Sequence, residues 1–166
     1  MDTTEIARPL SRLFAELVDG ADHPRGAFIL NAGDPGLLKS LDKLSADDAS
    51  RAVHGGATIA AHAEHVRYGL SLMNRWVRDG GNPFAEARWD AAWKVSRVDA
   101  AQWNEIRAGL RNETQHWLQA LTTPREVNGV EVSGIIGSIA HLAYHLGAIR
   151  QIHRDARGPK QEPSAG

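Results

Sequence analysis

The chain contains no cysteine. Disulfides are therefore excluded, and with them thiolate metal ligands and a cysteine nucleophile. It also has little charge imbalance: 19 basic against 20 acidic residues leave a formal net charge of -1. A near-neutral chain gives no electrostatic reason to expect nucleic acid or an anionic membrane surface as partner. No stretch reads as the roughly 20 consecutive apolar residues needed to span a bilayer. The opening MDTTEIARPL lacks the basic patch and apolar run of a secretory signal. The expectation is a cytoplasmic protein. GxGxxG, P-loop, GxSxG and HExxH patterns are missing too.

The chain has plenty of histidine (8) and tryptophan (5) within 166 residues. Histidine is the commonest ligand for transition metals. Tryptophan anchors cores, pockets or interfaces. The length fits one domain, expected over residues 1–156, with a polar, Pro/Gly-rich disordered tail at 157–166.

Helical periodicity dominates. Leu10, Leu13, Phe14 and Leu17 mark a first helix over 4–18, stopped by Gly20 and Asp22-His23-Pro24. A long connection follows, with a short helix at 36–44 and a further turn opened by Ser45. Thr58 could cap a second helix over 58–78, which Gly80-Gly81-Asn82-Pro83 ends. Residues 84–98 form an aromatic connection carrying Phe84, Trp89 and Trp93. Asp99 reads as the cap of a third helix, 100–121. Asn128-Gly129 between valines is a turn signal. Here it is taken as a turn leading into a fourth helix over 134–156, capped by Ser133. That helix is apolar almost all round and is expected to be the most buried. No segment alternates as a strand. The fold class is all-α, a four-helix bundle with long connections.

The strongest chemical signal is His141-Leu-Ala-Tyr-His145. Histidines four apart on a helix diverge by only about 40°. Both imidazoles can reach one ion, and both sit among apolar neighbours where a buried polar group needs a partner. The second helix offers the third ligand through His62-Ala-Glu-His65. His62 lies nearer the Ile59/Val66 stripe. His65 shares a side with Gly69, Leu72 and Trp76, and Gly69 could leave room for a ligand. Spacing alone does not decide between the two. Glu64 reads as a surface charge rather than a ligand. Three nitrogen ligands leave a coordination position open, as in catalytic zinc sites. That position could lower the pKa of water or bind and deprotonate a thiol.

The segments HLAYHLGAIRQI, TIAAHAEHVRYGLSLMNRW and WDAAWKVSRVDAAQW together resemble the DinB/YfiT-like superfamily. The resemblance covers most of the chain. It implies a four-helix bundle with up-up-down-down order, often a homodimer. It also implies a divalent metal on one histidine of the second helix and two of the fourth. Carried over, these are His65, His141 and His145. One departure is visible: the glutamine of the family's Gly-Gln-Ile is Ala148 here. The expected ion is zinc or nickel first, then iron or manganese, since imidazole-rich sites accept several ions. The resemblance also implies a small-molecule substrate and, in some relatives, a low-molecular-weight thiol in a transferase reaction. A hydrolase is the variant. The competing reading is a non-catalytic metal- or ligand-binding homodimeric bundle, linked to stress.

Other residues read more plainly. Tyr144 is a packing or interface residue. Arg150 is a surface salt bridge rather than a carboxylate clamp. His23, His54, His116 and His153 are surface residues. The tryptophans are core or dimer contacts, with one or two of Trp89 and Trp93 available to cover the metal.

Overall fold

The computed structural model describes residues 2–21 and 27–156. The described residues are all-α. The helices are α1 (Thr4–Asp19), α2 (Leu37–Asp42), α3 (Ala46–Ala49), α4 (Ile59–Asp79), α5 (Trp89–Trp93), α6 (Ala100–Thr122) and α7 (Gly129–Ile152), followed by a 3-10 turn at Arg154–Ala156. Four are long. Of these, α1 and α4 each pack on both α6 and α7. His23 and the tail at 157–166 lie outside the described residues.

Side-chain caps explain where four of the seven helices among the described residues start. Thr58 accepts the amide of Ala61 and starts α4. Asp99 and Gln102 form a capping box at α6. Ser45 and Asp48 do the same at α3. The start of α7 differs from expectation. Ser133 is not its cap; its hydroxyl donates to the Gly129 carbonyl. Asn128 instead accepts the amides of Val130 and Glu131, while Glu131 accepts the Asn128 amide. This box satisfies the otherwise unpaired first amides, so the helix begins a turn or more earlier.

Starting there, α7 is 24 residues long and is apolar enough in length and composition to cross a membrane. This corrects the reading that no stretch has that length. It is the one such helix among the described residues, and a core helix of a soluble protein meets the same criterion.

The expectation that α7 is the most buried helix also fails. Eleven of the 21 residues of α4 are buried, against seven of the 24 of α7. Ile136 and Tyr144 on α7 are 54% and 69% exposed. Uniform apolarity removes the stripe that would orient a helix, but it does not bring neighbours to every side. The central position belongs to α4, whose buried residues include three alanines in its first turns, Ala60, Ala61 and Ala63.

Two tryptophans fix the core. The Trp103 indole donates to the Leu44 carbonyl and the Trp117 indole to Ser138 Oγ, both fully buried. Each polar edge is paired where it leaves water, as burial requires.

Candidate metal centre

Two helices supply the site. His141 and His145 sit one turn apart on α7, and α4 brings His62 and His65 against them. His65 Nε2 lies 3.1 Å from His141 Nε2, and His141 Nε2 lies 2.9 Å from His145 Nε2. His65, His141 and His145 thus point one nitrogen each at a common centre. His65 and His145 are buried and His141 is half-buried.

These contacts fit a cation better than a hydrogen-bond chain. A neutral imidazole has one ring proton and one in-plane lone pair. His141 Nε2 faces two nitrogens, yet it can make only one well-formed hydrogen bond in its plane. A shared cation takes all three lone pairs together. For metal–nitrogen bonds of 2.0–2.1 Å, a tetrahedral site has nitrogens about 3.3 Å apart. The observed separations need to open by a few tenths of an ångström. The donor set therefore suits a divalent transition metal.

Burial keeps these rings neutral. It lowers the pKa of His145 to about 3, with nearby His141, His62 and His65 adding to the effect. It lowers that of His65 to about 4, helped by His141 and His62. Burial also depresses His62 and His141. Neutral imidazole is the ligating form.

His62 is not the third convergent ligand. Its Nδ1 lies 2.8 Å from Nδ1 of His145, the ring nitrogen that points away from the cluster. With His145 Nε2 on a cation, its Nδ1 carries the proton and donates to His62. Spacing could not separate His62 from His65 because both rings face the same region, at different depths. His65 Nδ1 is buried and has no partner among the described residues.

The aromatic connection contains a short helix, α5, that its sequence does not predict. Through α5, Trp93 stacks on His65 at 4.3 Å between ring centroids, and Trp89 lies 5.3 Å from the same ring. Both ends of this segment are tied to α4. The Arg88 amide donates to the Tyr68 hydroxyl, and the Thr58 hydroxyl donates to the Val95 carbonyl. Only a five-residue helix lies between the ties, too short to show a period.

Beside the histidines lies a cavity of about 470 Å³ between α4, α7 and the segment leading to α5. Trp76, Phe84, Trp89, Met73 and Leu142 form much of its wall, and His141 lines it as well. Gly69 lies at the junction. A Cβ there would sit 3.6 Å from both His141 Cε1 and Trp89 Cζ3, in ordinary contact.

The remaining sequence candidates fall elsewhere. Glu64 is half-buried and paired with Arg67, away from the cluster. Arg150 is not a surface pair: it reaches Asp34 at 3.2 Å and the Pro35 carbonyl at 2.7 Å, and Asp34 is fully buried. His153 is buried rather than surface. Its Nδ1 accepts the Asp155 amide, so Nε2 carries the proton and donates to Asp48. Its partner is remote in sequence, which is why spacing missed it. His54 and His116 are exposed as expected.

Compared with known proteins, the chain matches no family model, no curated protein and no solved structure.

Proposed function

We propose that this chain is a divalent-metal-dependent enzyme acting on a small molecule, built as a DinB-like four-helix bundle. His65, His141 and His145 hold the ion through Nε2. The observation that carries the reading is that His141 belongs both to the histidine cluster and to the wall of the adjacent cavity. A ligand in that cavity reaches the coordination position that three nitrogen donors leave open. When bound, the ion supplies Lewis acidity to a water or a thiol.

Within this reading the chemistry is thiol-dependent S-transfer, with hydrolysis as the variant. The ion is zinc or nickel ahead of iron or manganese: imidazole donors suit zinc, nickel and iron, whereas manganese favours oxygen donors. His62 sets the tautomer of His145. Trp89 and Trp93 keep bulk water from the His65 side. The protein works in the cytoplasm as a homodimer. Apolar Ile136 and Tyr144, turned outward on α7 with Ala140 between them, support pairing of two copies.

The test is elemental analysis of protein purified without a histidine tag, beside His141→Ala. The reading expects about one equivalent of a transition metal, lost in the variant. Turnover of thiol plus electrophile should depend on that ion. Absence of metal after incubation with zinc, nickel, iron and manganese would end it.

A further inference from the structure

The cavity beside the histidines differs from them in chemistry. Among the described residues, no Asp, Glu, Lys or Arg side chain lines it. Its two serines are already engaged. Ser138 Oγ accepts from Trp117 and donates to the Ile135 carbonyl, and Ser133 Oγ donates to the Gly129 carbonyl. The polar groups left to face a ligand are the His141 ring and the indole N–H groups of Trp76 and Trp89. Three aromatic rings, Trp76, Phe84 and Trp89, supply the broad faces.

Glycines on α7 create this space. At Gly134 a Cβ would lie 2.6 Å from Trp76 Cζ3, so the missing side chain is what seats the indole. At Gly137 a Cβ would meet nothing within 4 Å. Gly137 also lines the cavity, so the volume beside it is room that a side chain would have taken. An interior glycine costs a helix roughly 0.5–1 kcal/mol relative to alanine. At Gly134 that cost lets the Trp76 indole pack closely, and at Gly137, which is exposed, it leaves the cavity open.

We propose that this cavity binds the uncharged, apolar body of the substrate, aromatic or alkyl, with its single reactive group directed at His141. The word substrate rests on the metal-dependent reading above; the binding of an apolar ligand does not. A charged or polyhydroxylated molecule would leave its water and find few replacement partners in these walls. A flat apolar body exchanges water for ring faces and gains from that exchange. The volume falls within the range of small-molecule sites. In the transferase reading, the cavity takes the electrophilic acceptor. The polar thiol approaches from outside it.

The probe is N-phenyl-1-naphthylamine, a neutral aromatic amine that fluoresces when removed from water. It is titrated into wild type, Gly137→Leu and Gly147→Leu. Gly147 also has open space at its Cβ but lies off the cavity, and leucine favours helix at either position. Wild type and Gly147→Leu should bind the probe alike, and Gly137→Leu at least tenfold more weakly. A site-specific readout runs alongside. The chain has two methionines, Met1 and Met73, and Met73 lines the cavity. In protein labelled with 13C at the methionine methyls, the probe should move the Met73 resonance. Failure of wild type to bind, equal binding by Gly137→Leu, or an unmoved Met73 signal each overturns the proposal. Metal content is measured on the same samples. Probe binding without metal would retain the cavity and remove the metal reading. Metal retained with no cavity binding would do the reverse.

Discussion

His62 and His145 meet through their Nδ1 atoms at 2.8 Å, while the other nitrogen of His145 faces His141. One ring thus has a partner at each nitrogen. For His145 to offer a lone pair at Nε2, its proton must sit at Nδ1, and His62 is the group that accepts it there.

Replacing His62 with alanine or leucine should therefore weaken zinc affinity roughly 10–100-fold. Asparagine places an acceptor oxygen near the position of Nδ1, so His62→Asn should restore most of the loss. Competition against a chromophoric chelator gives the affinities. The cobalt(II) spectrum reports whether the ligand field is disturbed. A purely structural role would put asparagine no closer to wild type than leucine. Wild-type affinity in His62→Ala would remove His62 from the metal site.

A second expectation concerns acid. His65 and His145 hold folded pKa values near 4 and 3, below the ordinary histidine value, chiefly because they are buried. Below about pH 6.5 the unfolded chain takes up protons that the folded chain refuses. Stability is therefore complete above that pH and lost as pH falls toward 3. The loss starts above the carboxylate range, which separates it from Glu16 and Asp48. Those groups also have lowered pKa values and titrate later on acidification. For Glu16 burial is the largest influence and raises the pKa, but the backbone amides of Leu30, Phe28 and Ile29 together with Arg12 outweigh it. For Asp48 the main cause is the Ser45 hydroxyl. Urea midpoints of metal-free protein between pH 7 and 5 should fall. In the double variant His65→Leu with His145→Leu the slope should be shallower. Equal slopes would mean these rings do not carry the acid sensitivity.

The start of α7 can be tested by its cap. Asn128→Ala should cost about 1 kcal/mol, read as a lower denaturation midpoint with unchanged m-value. Ser133→Ala should be nearly neutral, because Ser133 lies inside the helix and its hydroxyl donates to the Gly129 carbonyl one turn earlier. The opposite ranking would restore Ser133 as the start.

That boundary illustrates what the sequence could tell. Asn128 with Glu131 three residues on is a capping pattern, but Asn-Gly between valines reads equally as a turn. The choice depends on whether the amides at 130 and 131 find the asparagine side chain. The His141/His145 pair was legible because a helix's own period places both rings together. The third histidine was not, since the relative rotation of α4 and α7 is set by packing between helices. The resemblance favoured His65, and His65 is the α4 residue that joins the cluster. The α5 helix was invisible because its ties, Tyr68 to Arg88 and Thr58 to Val95, come from another helix. Likewise, burial of His153 depends on Asp48, 105 residues earlier.

The stack of Trp93 on His65, with Trp89 beside it, gives the protein a built-in optical signal. Copper(II) or nickel(II) captured by His65 would bind the ring that both indoles contact and quench their emission. Zinc, with its filled d shell, would occupy the same nitrogens and leave the emission bright. Titrating one ion against the other, with no added dye, would then report in real time which of them the histidines prefer.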